Sequence, residues 1–139
     1  MTKKITISIC KQIAKLSFKI EEMKDEGVYN EISALEEKIS DLESELDDTI
    51  EQLNDQRDEA LEDEAVTEAD KEKISKSFDS KIEKAKEATD RKIEKIREDI
   101  EKAEELQSYL DDTMSALMTA AEELAGNMDY EFDAYSCAA

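Results

Sequence analysis

The sequence predicts an all-α protein built on one long antiparallel helical hairpin, a coiled coil of two arms. Three observations carry that prediction: a helix-favouring composition, apolar residues recurring at three- and four-residue steps, and arms of matching length. Proline is absent from the 139 residues, and glycine occurs only at Gly27 and Gly126. With 42% charged and 5% aromatic residues there is too little bulky apolar material for a thick core, so apolar side chains go to narrow seams. Disordered chains share the high charge but lack a sustained apolar period.

The first helix, expected over about 4–26, carries Ile9, Ile13, Leu16, Ile20 and Met23. The period then stops at Glu26-Gly27-Val28-Tyr29-Asn30, which predicts a break near Gly27 with Asn30 capping the next helix. That second helix, about 30–62, runs through Ile32, Leu35, Ile39, Leu42 and Leu46, then shifts phase at Ile50 and fades near Arg57. Thr67-Glu68-Ala69-Asp70 resembles a capping box with Asp in place of Glu or Gln, and opens a third helix over about 68–126. Recurrence at eleven residues (Phe78, Thr89, Ile100) predicts that this helix is nearly straight. Gly126 and Asn127 end it, leaving an acidic, aromatic tail over 127–139.

Folding the chain at Ala65-Val66 pairs Ile9 with Ala121, Ile13 with Leu117, Leu16 with Met114, Ile39 with Ile93, Leu46 with Ala85 and Leu53 with Phe78. Leu42 and Leu46 then face Ala85, Ala88 and Thr89, large against small. The same near-palindromic pattern would also pair two chains through a continuous helix over 62–68. A lone two-helix hairpin leaves apolar surface wet, so a homodimer forming a four-helix bundle at one end is expected.

Charge is laid out in blocks. Residues 1–26 carry net +2, 27–66 net −13, 67–102 net zero and 103–139 net −9, for −20 in all. The six lysines at 3, 4, 11, 15, 19 and 24 are expected to face the acidic stretch Glu104 to Glu123. On the second helix, Glu37, Asp41, Asp48 and Asp55 fall on the outward side. They form either a solvated face or a surface for a protein partner with a basic patch. At the helical rise, the fifteen acids of residues 31–64 give one charge per roughly 3.4 Å, near the phosphate spacing of a DNA strand. Direct nucleic-acid binding is disfavoured by the net charge of −20.

The inventory excludes most chemistry. There is no histidine, no Gly-rich phosphate loop and no nucleophile with a base nearby, so neither a catalytic site nor a cofactor is expected. A bundle di-iron centre needs Glu-x-x-His, which is impossible here. The stretch Asn127 to Asp133 alternates oxygen ligands like a calcium loop, but Phe132 occupies the glycine position and no Glu closes it. Read differently, Met128, Tyr130, Phe132 and Ala134 alternate with polar residues, as in a peptide that adds to a partner's sheet, or the tail is a frayed acidic end. Cys10 and Cys137 make neither a metal spacing nor a disulfide framework, and Cys137 is third rather than fourth from the end, which is wrong for prenylation. No run is long enough to span a membrane, so a cytoplasmic protein is expected. The functional expectation is a non-enzymatic adaptor, assembly chaperone or scaffold. The alternative is a phage-type inhibitor of a nucleic-acid-binding or host-defence protein, acting as an acidic nucleic-acid mimic.

Overall fold

The computed structural model describes residues 2–127, which are all-helical, with no strand among them. Helix α1 spans Thr2–Met23, α2 spans Tyr29–Leu61 and α3 spans Glu68–Gly126, with a single π turn, Lys24–Val28, between α1 and α2.

The expected break at Gly27 is therefore a helical passage rather than a loop. Met23 and Tyr29, which flank the π turn, both have right-handed helical angles, and the Tyr29 N–H donates to the Lys24 carbonyl, a five-residue step. Asn30 does not cap α2. Its side-chain amide donates to the Glu26 carbonyl at 2.6 Å from within the continuing helix. One glycine costs a helix about 1 kcal/mol, too little by itself to end one that continues on both sides.

Between α2 and α3 the chain does reverse, over residues 62–67. The Glu62 N–H donates to the Asp58 carbonyl at 3.1 Å, and the Asp63 carboxylate accepts the Ala65 N–H at 3.0 Å. Thr67 then caps α3, its hydroxyl accepting the Asp70 N–H at 3.2 Å while its carbonyl accepts the Lys71 N–H at 2.9 Å. A continuous helix through 62–68 is excluded by this turn.

The chain divides into two compact units, residues Ala34–Ile100 and the combination of Met1–Ser33 with Glu101–Ala139. In the Ala34–Ile100 unit, half-buried Leu35, Ile39, Leu42, Leu46, Ile50 and Leu53 on α2 share a seam with Ile74, Phe78, Ile82, Ala85, Thr89 and buried Ile93 on α3. Ala88, expected opposite Leu42 and Leu46, is instead exposed.

The other unit buries Val28 and Ile32 near its α2 end, and along α1 it is sealed by small side chains. Thr6, Cys10, Ala14 and Ser17 of α1 are buried, as are Ala103, Ala121 and Ala125 of α3. Cys10, Ala121 and Ala125 form one cluster with Ile13 and Leu124 against it, and Ala14 carries Phe18 and Met118. The Cys10 Sγ reaches the Ala121 carbonyl at 3.5 Å, so a side chain of two heavy atoms spans from one helix to the backbone of the other. This corrects the expected register of α1. Ile9, Leu16 and Met23, assigned to the seam, are 41%, 48% and 62% exposed. The α1 sequence carries two stripes one residue out of phase, and the narrower one turns inward because small side chains let the helices approach closely.

Candidate partner-binding surfaces

On α2, the seam residues fall at three- and four-residue steps, which leaves the opposite face to the residues between them. Glu37, Asp41, Asp48 and Asp55 occupy that face and are all exposed. Asp41, Asp48 and Asp55 are each one heptad apart, which sets them about 10 Å apart along the helix and nearly in line. Among the described residues none of the four makes an ion pair or a side-chain hydrogen bond. Arg57 does not offset them, because its guanidinium is turned to Asp58 and to Asp79 of α3, each at 3.7 Å. Met128, Tyr130 and Phe132, the other expected partner residues, lie outside the described residues, as does most of the calcium-like stretch.

The α3 portion of the same unit is a mixed-charge surface. Lys71 pairs with Glu68 at 3.5 Å, Lys76 with Glu72 at 3.2 Å, and the Lys81 ammonium lies 4.8 Å from the Phe78 ring centroid. These contacts are solvent-exposed and individually weak. Their effect is to neutralise this surface, so the unit's negative field is concentrated on α2.

In the Met1–Ser33 and Glu101–Ala139 unit, among the described residues one of the six clustered lysines is engaged as expected: Lys24 meets Asp111 at 2.6 Å. That hydrogen bond holds the Lys24 ammonium above its ordinary pKa, against the opposing effect of desolvation. Lys3, Lys4, Lys11, Lys15 and Lys19 are exposed. Beside the seam is an open groove lined by Ser17, Phe18, Met114 and Met118, with Glu21 and Asp111 at its edge. The Ser17 hydroxyl is buried without a hydrogen-bond partner. The feature that the sequence reading missed is apolar: Ile5, Ile9, Leu16, Met23 and Leu106 are 41–62% exposed. The signal was present in the heptad spacing of Ile9, Leu16 and Met23, which equally describes a seam facing another chain.

Among the described residues no three His, Cys, Asp or Glu side chains are placed to hold a metal ion. No helix among them is long and apolar enough to cross a membrane. No protein-family model matches the chain, and neither the curated proteins nor the solved structures contain a match to it.

Proposed function

We propose that this is a non-enzymatic interaction protein, an adaptor, assembly chaperone or scaffold of the cytoplasm. In this reading the α2–α3 pair works as a coiled coil, the protein is a homodimer joined through a four-helix bundle, and the acidic face of α2 receives a protein with a basic surface. The observation that supports it is the alignment of Glu37, Asp41, Asp48 and Asp55, exposed and unpaired, on the side of α2 away from its seam. Acids held on a rigid helix lose little entropy on pairing with incoming lysines or arginines, and their summed field speeds encounter.

A partner that co-purifies from the native host should be lost when the four acids are changed together to Lys, with helicity unchanged by circular dichroism. Binding to the wild type should also weaken steeply with salt, since exposed charges are screened within about 8 Å at physiological ionic strength. Retention of the partner by the fourfold variant at high salt would remove the acidic face from the proposal and leave the 127–139 tail as the surface to delete next.

The second reading is a phage-type inhibitor that mimics nucleic acid. Its support is the density of fifteen acids over residues 31–64 against only two bases, Lys38 and Arg57. It requires that the partner bind nucleic acid and that duplex DNA displace this protein from it. A partner indifferent to DNA competition excludes the decoy and retains the scaffold.

A further inference from the structure

Of the seven large hydrophobics exposed among the described residues of the Met1–Ser33 and Glu101–Ala139 unit, all but Tyr29 and Tyr109 fall on one face. At about 100° per residue, Ile5, Ile9, Leu16 and Met23 occupy an arc of only about 40° on α1, and Leu106, Leu117 and Leu124 an arc of about 20° on α3. Both stripes are on the same side of the seam. Ile13, between Ile9 and Leu16, and Leu124 pack against the same Cys10–Ala121–Ala125 cluster, whereas Phe18 and Met118 line the groove on the other side. Ile5, Ile9, Leu16, Met23 and Leu106 alone leave on the order of 500 Å² of this face open, before half-buried Ile20, Leu110 and Leu117 are counted. That lies toward the upper end of the roughly 300–600 Å² of the largest patch on a typical monomer, and approaches the roughly 800 Å² each partner gives up in a standard interface once those half-buried residues are added.

Charge selects the occupant. Helix α1 carries five lysines against Glu21 and Glu22, while residues 103–126 of α3 carry six acids and no base. We propose that the face is covered by the same face of a second copy. The two-fold axis runs along the helices, so that α1 of each copy lies on α3 of the other. The alternative, with the axis across the helices, stacks basic α1 on basic α1 and acidic α3 on acidic α3. Both arrangements make every neighbouring pair antiparallel, the geometry of an up-down four-helix bundle, but only the chosen one alternates the charges. It rests on the homodimeric reading above, and adds to it the face and the axis. Rotation about an axis parallel to the helices preserves height. Since Cys10 meets Ala121 and Lys24 meets Asp111, Leu16 of one copy stands level with Leu117 of the other.

The test combines mass with disulfide trapping. Light scattering should give twice the 15.8 kDa chain mass for the wild type, and the chain mass for the Ile9→Lys, Leu16→Lys variant. In a Cys137→Ser background, Leu16→Cys chains mixed with Leu117→Cys chains should oxidise to a mixed dimer, while either alone should not. Because the trapping variants introduce no charge and only shorten an apolar side chain, they decide the question even if the double-lysine variant loses helix. A monomeric wild type ends both the homodimeric reading and this inference. A double-lysine variant that stays helical and dimeric overturns the face and spares the homodimer. A Leu16→Cys disulfide formed as readily without its Leu117→Cys mate overturns the axis.

Discussion

Ser17 sits in the α1–α3 seam at 5% exposure, and its hydroxyl meets neither donor nor acceptor. A buried hydroxyl without a partner forfeits its hydration, a cost of about 1–3 kcal/mol, and serine is also a poorer helix former than alanine. Ser17→Ala should therefore stabilise the protein by about 1 kcal/mol, raising Tm by about 3 °C. A lower Tm would show that the hydroxyl is hydrogen-bonded in solution. Ser17 also illustrates what could not be read from the sequence. Cys10, Ala14 and Ser17 carry so little apolar area that a search for large aliphatic residues passes over them, yet their size is what admits them to the seam. Thr67 was legible for the opposite reason, since a cap is defined by local chemistry and its hydroxyl accepts the Asp70 N–H as the spacing required.

At the level of elements, the seam of the Ala34–Ile100 unit could be read directly because α2 and α3 there offer one apolar stripe each, with charged residues filling the rest. Leu35 through Leu53 and Ile74 through Ile93 had nowhere else to go. Helix α1 offers two stripes, and the period alone does not rank them; packing distance does. The acidic face of α2 was legible as the complement of its seam, so Glu37, Asp41, Asp48 and Asp55 are exposed as expected. The apolar face beside α1 was not, because it is defined by the stripe that the seam rejects. The α-helix is interrupted near Gly27, but by a π turn and without the Asn30 cap, since Gly27 and Asn30 are turn-forming residues whose local preference the helical hydrogen bonds override. At Gly27 an added Cβ would meet nothing within 4 Å and φ is not positive. Gly27→Ala should accordingly stabilise by up to about 1 kcal/mol, read as a higher urea midpoint at unchanged slope. A lower midpoint would mean that the π turn depends on glycine.

Across the whole chain, charge and burial follow the same division of labour. A net charge of −20 keeps copies apart at long range, while the lysines of α1 place the one basic stretch beside the exposed apolar residues. Burial is the scarcer quantity: among the described residues the largest side chain withdrawn completely from water is that of Cys10. This has a thermal consequence. The heat capacity released on unfolding scales with the apolar area newly wetted, and proteins with ordinary cores show about 12–15 cal/mol/K per residue. A dilute, undimerised chain with so little to expose should fall below the corresponding total of about 1.7–2.1 kcal/mol/K, and its stability should vary only gently between cold and warm. Scanning calorimetry over a concentration series checks this, because docking a second copy would add apolar area and raise the value. A dilute chain that matched the ordinary figure would show that far more surface leaves water than the small residues of its seam can account for.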